Sequence, residues 1–424
     1  MAPSTNVNLS DRFAQAAGQG TTDMSNMPDP FSRYGLSRLI NASGTETVFG
    51  ASPVSEEVVA AIAALLPHSV DMAQLQAAAS RVIARATGAE AGFITNCSSA
   101  GIVIAAAACM TGLDLARIER LPDTRGLRNE VVIQKGHVVN YGSLITGDLR
   151  LTGAEVIEFG AAAETGVYQL EAVLSANTAA AVFVISHHCV QTGMIALPEF
   201  AAACHAAGVP VIVDAAAEYG WRGCLAAGAD LVIFSAQKAM GGPTAGVVAG
   251  RRDLVRACYA QQRGIGRPMK AGKEAVIGAM AALERWAALD HPAIEAAVEA
   301  RAHAAAARLA GLPGLQAAVV RDETGNPFSR VVITVDPQRA GLSAHGLARA
   351  LGRGEPRILL RSLYADRGIL QMDVRRMDEA VLEQVCGRIA EALRAPGQET
   401  GTPPAPADQS AASVLAWLAT AQDA

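Results

Sequence analysis

Basic surface patches and long apolar runs are both missing from this chain. Lys and Arg number 35 against 40 Asp and Glu, the net charge is -5, and aromatic residues make up 4% of the 424 residues. No segment combines basic residues with interleaved aromatics, so we expect no nucleic-acid partner. Alanine runs such as 105–108 are far shorter than the ~20 residues that span a bilayer, so we expect no membrane partner either.

Paired cysteines and a secretory signal are also missing. The seven cysteines are an odd number, are widely spaced and form no CxxC pair, which argues against a disulfide framework and a zinc knuckle. The N terminus lacks the basic start and the apolar run of a signal peptide, and residues 1–30 are interpreted as a flexible arm. These features favour a reducing, cytoplasmic location for a globular chain that is 51% apolar.

What the chain does contain is an alternation of strands and helices. Between about residues 31 and 271, short β-branched runs alternate with alanine-rich stretches, which is the pattern of βαβ units. We predict an α/β fold with a mainly parallel seven-stranded sheet covered by helices. The predicted strands are 92–95, 130–134, 155–159, 181–186, 211–214, 231–234 and 246–249.

A smaller C-terminal unit follows this region. Helices at 272–290 and 291–311 lead to predicted strands at 329–335, 357–361 and 368–373 and to helices near 343–352 and 377–394. We therefore divide the chain into a large domain (31–275) and a small α+β domain (276–395). Residues 396–424 are predicted to form a disordered linker and a tail with a short amphipathic patch.

One lysine occupies a special position in the stretch FSAQKAMGGPTAG. Lys238 comes four residues after a predicted strand, and ligands of open α/β sheets bind at the carboxyl ends of strands. Gly241 and Gly242, followed by Pro243, predict a tight turn that holds the lysine on a constrained loop. An amine fixed there is suited to Schiff-base chemistry. The alternative is an ordinary surface lysine in a loop.

An aspartate and a helix start complete a constellation. Asp214 ends the strand VIVD, where a carboxylate suits the pyridine nitrogen of pyridoxal 5'-phosphate (PLP), although it could instead cap the next helix. In TNCSSAGIVIAAAACMTG, free N–H groups and the hydroxyls of Ser98 and Ser99 predict a phosphate site, although serine is also an ordinary N-cap. Phosphate site, aspartate and lysine in this order are more specific than any one of them.

Five segments carry a family resemblance that runs from about residue 38 to residue 393. They are LINASGT (39–45), NCSSAG (96–101), GMIALPEFAAACHAAGVPVIVDAAAEYG (193–220), DLVIFSAQKAMGGPTAGVVAGRRDLV (230–255) and GIGRPMKAGKE (264–274). Through them the chain resembles the fold-type I PLP enzymes, and among these the selenocysteine synthase-like branch that includes D-glucosaminate-6-phosphate ammonia-lyase.

This resemblance implies a three-layer PLP-dependent transferase-like fold, a homodimer or larger homo-oligomer, and specific roles for residues. The implied roles are the Schiff base with PLP for Lys238, the pyridine-nitrogen contact for Asp214, packing on one ring face for Ala216, and phosphate binding for Ser98, Ser99 and Ser235.

Three histidines follow predicted strands. His137 lies where the family often has a side chain that stacks on the cofactor, and an imidazole could also move a proton there. The alternative is a histidine whose ring is satisfied by loop backbone. At least one of His187 and His188 should face the crevice, and His188 is a candidate substrate contact. No acidic or cysteine partner has metal-ligand spacing, so we expect no metal.

Cationic side chains suggest how an anionic substrate is held. Arg361 ends the strand RILLR and is our candidate for a bidentate contact with the substrate carboxylate, while Arg357, four residues earlier, competes with it. Either one could instead form an ordinary salt bridge. Arg267, Lys270 and Lys273 predict a cationic pocket or a solvated helix start. Lys270 is also the rival Schiff-base lysine, but no strand end precedes it.

The expected reaction begins with loss of an α proton to the amine of Lys238. With a leaving group on the β carbon, elimination follows and yields a keto acid and ammonia; without one, racemisation or transamination follows. The resemblance favours elimination on a small, anionic amino acid. An aminotransferase or racemase is the alternative within enzymes. Two alternatives come from other functional classes: a selenium transferase that acts on tRNA, and a non-catalytic scaffold that binds PLP.

Overall fold

A computed structural model of the chain describes residues 29–394 together with residues 412, 414 and 415. Nearly all of the predicted N-terminal arm, and of the predicted linker and tail, lies outside the described residues. Within the described part of the chain, no helix has the length and apolar character needed to cross a membrane.

Twelve strands and fifteen α-helices form the described fold. The strands are β1 (Leu39–Ala42), β2 (Ala91–Thr95), β3 (Glu130–Gln134), β4 (Glu155–Phe159), β5 (Thr178–Val184), β6 (Val211–Asp214), β7 (Leu231–Ser235), β8 (Gly246–Gly250), β9 (Leu315–Arg321), β10 (Ser329–Val335), β11 (Arg357–Leu360) and β12 (Ile369–Met372). The helices are α1 (Pro30–Tyr34), α2 (Glu56–Leu65), α3 (Met72–Thr87), α4 (Ser98–Thr111), α5 (Leu115–Arg120), α6 (Ile145–Arg150), α7 (Val167–Val173), α8 (Leu197–Ala206), α9 (Trp221–Ala226), α10 (Arg252–Ala260), α11 (Lys273–Ala288), α12 (His291–Leu309), α13 (Pro337–Ala340), α14 (Ala344–Gly352) and α15 (Glu379–Arg394).

The predicted seven-stranded sheet is confirmed. Its strand order is β2-β8-β7-β6-β5-β3-β4, and all neighbours are parallel except β8, which is antiparallel to both β2 and β7. Every residue of β2, β5, β6, β7 and β8 is buried, as expected when helices cover both faces of a sheet. One face packs against α4, whose alanine-rich sequence is apolar all round and buried.

The small domain is an antiparallel sheet, β12-β10-β9, covered by α12, α14 and α15. Two strands were absent from the sequence prediction. β9 is mostly exposed and has little apolar alternation, so its pattern is weak. β1 pairs in parallel with β11, more than three hundred residues further along the chain, and no local pattern reports a partner so distant.

The domain boundary also differs from the predicted one at residue 275. Helix α11 packs against α2 and α3, and its buried residues, such as Val276 and Leu283, belong to the core of the large domain. Conversely, Ala42 of β1 lies in the core of the small domain. The boundary therefore follows α11, and the small domain recruits an N-terminal strand.

Candidate active site

The loop between β7 and β8 holds Lys238 by its backbone. The Ser52 hydroxyl donates to the Lys238 carbonyl at 2.7 Å, and the Ser52 N–H donates to the Gln237 carbonyl at 3.1 Å. A guanidinium nitrogen of Arg376, from the small domain, donates to the Ala239 carbonyl at 3.1 Å. Three consecutive carbonyls thus have partners outside the loop, which fixes the position from which the lysine side chain starts.

Two glycines make the end of this loop possible. Gly241 has φ +64°, a left-handed conformation that residues with a Cβ rarely adopt. A Cβ on Gly242 would lie 2.9 Å from Cβ of Ala282 and 3.1 Å from the Ala236 carbonyl oxygen. The tight turn predicted from the sequence is therefore present, and it packs directly on α11.

The Lys238 amine has no hydrogen bond or ion pair to any of residues 29–394. Burial lowers its pKa below the usual range, and the negative charges of Asp214 and Glu218 partly oppose that shift. A partly buried lysine whose amine makes no hydrogen bond is available to a carbonyl group, which is the requirement for Schiff-base formation.

Asp214 ends β6 and is only 4% exposed. Burial raises the pKa of its carboxyl to about 6, and the charge of Lys238 opposes the rise. Its Oδ1 accepts from the Ala216 N–H at 3.1 Å, while Oδ2 accepts no hydrogen bond from the described residues. Asp214 does not cap a helix, because α9 begins at Trp221. The free oxygen suits a protonated pyridine nitrogen.

Ser98 and Ser235 lie together at the N terminus of α4, where the Ser235 hydroxyl donates to the Ser98 hydroxyl at 3.0 Å. The first N–H groups of this 14-residue helix have no partners within the helix, so they favour an anion. Ala216 links this group to Asp214, since its carbonyl accepts from the Ser235 N–H at 3.2 Å. These residues provide a phosphate site beside the aspartate.

Ser99 differs from its prediction. Its hydroxyl donates to Asp148 at 2.6 Å, so that only its backbone N–H remains available to a phosphate. Asp148 is buried and also accepts from the Tyr141 hydroxyl at 2.6 Å and from Ser143 at 3.0 Å. Tyr141 lies within electrostatic reach of Asp214. Sequence reasoning missed Asp148, because nothing in the helical stretch ITGDLR distinguishes it from a solvated side chain.

His137 is a buried structural residue, which corrects its predicted role as a proton carrier. Its Nδ1 accepts from the Val184 N–H at 3.0 Å, and its ring lies edge-on to Phe183 with centroids 4.5 Å apart. Burial lowers its pKa to about 4, so the ring is neutral at physiological pH. These contacts match the alternative of a histidine satisfied by backbone.

His187 and His188 follow β5, with ring centroids 3.9 Å apart. Burial of His187, and partial burial of His188, lower the pKa of each ring, and the charges of Arg361 and Lys238 lower it further. Both rings are therefore neutral and lie within electrostatic reach of the lysine and of the arginine, as expected for side chains that face one crevice.

Arg361 is the only one of the two candidate arginines that is buried. Its side chain is 8% exposed, and its Nη2 has no hydrogen-bond partner, with the nearest carboxylate, Glu323, 3.8 Å away. Burial lowers its pKa. Arg357 is exposed and donates to the Gly352 carbonyl at 3.0 Å. A buried guanidinium nitrogen without a hydrogen bond is available to a ligand.

Arg267 and Lys270 are exposed beside the phosphate site. Lys270 forms an isolated backbone bridge with Thr95, and the Asn96 N–H donates to the Met269 carbonyl at 3.3 Å. Neither cationic group has a partner among the described residues. Lys273 differs, since its Nζ donates to the His68 carbonyl at 2.5 Å. Within the same described part of the chain, no three His, Cys, Asp or Glu side chains are grouped to hold a metal.

The site fits PLP on each of its three requirements: a free buried amine, an unpaired carboxylate oxygen and a helix N terminus with two hydroxyls. The fold and the site therefore define a PLP-dependent enzyme. The sequence profile of the family described as Aminotransferase class-V matches residues 52–350, and the chain belongs to this family.

Known relatives narrow this class. D-glucosaminate-6-phosphate ammonia lyase of Salmonella typhimurium is 38% identical over 364 residues, which are 86% of this chain and 98% of that protein. A solved structure of D-glucosaminate-6-phosphate ammonia-lyase has a TM-score of 0.78 at 37% identity and covers 87% of this chain and 99% of that chain. These findings confirm the family, the cofactor and the enzymatic nature predicted from the sequence.

Two further relatives carry out different reactions. The 5'-C-glycyluridine monooxygenase-decarboxylase of a Streptomyces species is 40% identical over 365 residues, which are 86% of this chain and 92% of that protein. L-seryl-tRNA(Sec) selenium transferase of Aquifex aeolicus is 24% identical and covers 82% of this chain and 84% of that protein. The scaffold is thus shared by enzymes of several reaction types.

Proposed function

We propose that the protein is a PLP-dependent ammonia-lyase that carries out α,β-elimination on a small, anionic amino acid with a hydroxyl group on its β carbon. The observation that carries this proposal is that the Lys238 amine and the Arg361 guanidinium lie within electrostatic reach of the same two rings, His187 and His188. The Lys238 amine makes no hydrogen bond to the described residues, and Nη2 of Arg361 makes none either. An amine is suited to take a proton from an α carbon, and a guanidinium to hold the carboxylate on that carbon.

The other residues would hold the cofactor. Asp214 would keep the pyridine nitrogen protonated, Ala216 would pack on one ring face, and the N terminus of α4 with Ser98 and Ser235 would bind the phosphate. When bound, PLP accepts the electron pair that the α carbon retains. For His137 we propose only that its ring lies beside the cofactor, as predicted from the sequence, and not that it transfers a proton.

The reaction balances without an oxidant. The α C–H bond breaks and its proton passes to the Lys238 amine; the β C–O bond breaks and its electron pair leaves with the oxygen, which takes up a proton to form water. Hydrolysis of the resulting enamine consumes one water and releases ammonia and a 2-oxo acid. The neutral ring of His188 would contact the substrate near its carboxylate.

A second anionic group on the substrate would account for Arg267 and Lys270, the exposed and unpaired cations beside the phosphate site. The ammonia-lyase relative is named for a phosphorylated amino acid derived from a sugar. We propose substrates of that chemical class. The 40% sequence identity with the 5'-C-glycyluridine monooxygenase-decarboxylase favours an oxygen-dependent decarboxylation as the second candidate reaction.

The oligomeric state and the cellular location of the protein are also proposals. All seven cysteines are free thiols, which supports a reducing cytoplasm. We propose a homodimer or larger homo-oligomer, in which the exposed Arg267 and Lys270 lie near a neighbour. Arg267 and Lys270 alone do not form a basic surface that could bind a nucleic-acid backbone, so we propose no nucleic-acid partner.

The test is product analysis, in air and under anaerobic conditions, with D-glucosaminate 6-phosphate, D-serine and L-serine as probes. We expect ammonia and a 2-oxo acid in equal amounts, at the same rate with and without oxygen. Product formation that stops without oxygen and releases carbon dioxide would support the second candidate instead. Racemised or transaminated probe without ammonia would contradict both.

A further inference from the structure

One loop of the small domain contacts both halves of the crevice. Residues 322–326 belong to the connection between β9 and β10, and Asn326 accepts a hydrogen bond at 3.0 Å from the N–H of Tyr219 in the large domain. The same loop carries Glu323, whose carboxylate is the one nearest to the free Nη2 of Arg361. Glu323 lies 3.8 Å from that nitrogen, within ion-pair range but beyond hydrogen-bond distance, so the position of this loop determines how closely Glu323 approaches Arg361.

Glu218 holds this loop from the large domain. It is 5% exposed and lies four residues after Asp214. Its Oε2 is 2.8 Å from Oγ1 of Thr324 and 2.7 Å from Nδ2 of Asn326. Sequence reasoning gave Glu218 no role, because its partners are more than one hundred residues away.

Counting hydrogens at Thr324 shows that an extra proton is needed. Its single hydroxyl hydrogen faces two carboxyl oxygens, Glu218 Oε2 at 2.8 Å and Asp322 Oδ1 at 2.6 Å. The hydroxyl oxygen also accepts from Asn326 at 3.0 Å. Both contacts are full hydrogen bonds only if one carboxyl donates. Asp322 forms an ion pair with Arg330, which lowers its pKa, so Glu218 is the donor.

We propose that Glu218 carries a proton at neutral pH and that its O–H···O bond to Thr324 holds the loop 322–326 where Glu323 makes no hydrogen bond to Arg361, so that the guanidinium can bind a substrate carboxylate. Glu218 is thus a positioning residue that acts through Thr324 and Glu323. The inference rests on the proposed role of Arg361. Loss of the proton leaves two carboxylates competing for one hydroxyl hydrogen, which releases the loop.

The surroundings of Glu218 are consistent with this assignment. Burial raises its pKa to about 7 and the charge of Asp322 raises it further, while the hydrogen bonds with Thr324 and Asn326 and the charge of Arg330 oppose the rise. From the large domain, Lys238 and the thiols of Cys189 and Cys224 face it; burial raises the pKa values of those thiols to about 12 and about 11. The thiols therefore stay neutral where Glu218 titrates.

The first test measures the thermal midpoint of the holoenzyme at about pH 5.5 and about pH 8.5. The variants are E218Q, which is neutral at both pH values, and E199Q, a matched control at an exposed carboxyl on α8. A folded-state pKa above the ordinary 4.5 makes stability fall as pH rises. Between the lower and the higher pH, the thermal midpoints of wild type and E199Q should fall by about 3 °C more than the midpoint of E218Q. Parallel losses in all three would overturn the proposal.

The second test measures binding of D-glucosaminate 6-phosphate, D-serine and L-serine through the change in the cofactor absorption band. Between the same two pH values, the apparent Kd of wild type should weaken about tenfold more than that of E218Q. At the lower pH, T324V should raise KM about fivefold with kcat nearly unchanged, and T324S should restore it.

These outcomes separate the inference from the proposed function. An enzyme that binds PLP and the probes but eliminates nothing would contradict the proposed reaction, while its Kd and midpoint profiles would still decide the role of Glu218. No spectral response to any probe would contradict both. Equal pH dependence of Kd in wild type and E218Q, or failure of T324S to restore KM, would contradict the positioning role alone.

Discussion

The two sides of the crevice differ in how firmly contacts within the protein hold the groups that would meet a ligand. On the cofactor side, the backbone of the lysine loop is held by Ser52 and Arg376. On the substrate side, Nη2 of Arg361 is buried without a hydrogen bond, and Arg267 and Lys270 are exposed and unpaired among the described residues. Contacts within the protein therefore position the cofactor side, whereas the cationic groups of the substrate side depend on a bound ligand for their hydrogen bonds.

The largest effect expected on the cofactor side comes from K238A. Removing the amine removes both the Schiff base and the base for the α proton, so turnover should fall by at least ~10³-fold. Ammonia release is the measurement. K135A is the matched control, because the chain has only four lysines and Lys135 is exposed. Residual turnover above a few per cent in K238A would contradict the assignment.

On the substrate side, R361A should raise KM by ~10- to 100-fold, because a charge-assisted bond to the carboxylate is worth about 1.5–3 kcal/mol. The matched control is R357A, since Arg357 is exposed at the start of β11, the strand that Arg361 directly follows, and should change KM less than about twofold. Steady-state kinetics with the best of the probes decide this. Equal effects of R361A and R357A would remove Arg361 from the site.

In the apoprotein, burial of the Asp214 carboxylate without the pyridine nitrogen should lower stability. Its pKa in the folded protein, about 6, lies above the ordinary 3.8, so the contribution of Asp214 to apoprotein stability is fully present below 3.8 and is lost as pH rises through about 6. D214N should therefore stabilise the apoprotein at pH 8 by about 3 kcal/mol while weakening PLP binding. Chemical unfolding of apoprotein and PLP titration test both parts; a D214N apoprotein less stable than wild type would refute the first.

The smallest effect is expected from H137N. An asparagine oxygen can accept from the Val184 N–H in place of Nδ1, and a ring with a pKa of about 4 carries no proton near neutrality. The plot of kcat/KM against pH should keep its shape, with values within about threefold of wild type. Loss of one limb of that plot in H137N would restore the proton-carrying role.

The same contrast explains which parts of the site were predictable from the sequence. Asp214 and Lys238 lie at the ends of buried strands, and the sheet brings strand ends together, so short motifs were sufficient to predict that the two residues share one edge of the sheet. Ser98 and Ser235 follow the same logic. The strand bounds of the large sheet were also close to the predicted ones, because buried β-branched runs mark them clearly.

Other residues could not be assigned from the sequence because their roles arise from distant contacts. Glu218 depends on Thr324, and Asp148 depends on Ser99, although each carboxylate stands in an ordinary helical or loop context. Arg357 and Arg361 share a strand pattern, and only the folded small domain shows which one is buried. His137 follows a strand as Lys238 does, yet its ring turns into the core against Phe183.

The most direct test of the central claim is borohydride reduction of the holoenzyme followed by peptide mapping. The account predicts a reducible absorption band near ~420 nm and a pyridoxyl label on Lys238. Because the chain has only four lysines, the labelled peptide is unambiguous. A label on Lys270, or no reducible band after PLP is added, would contradict the account.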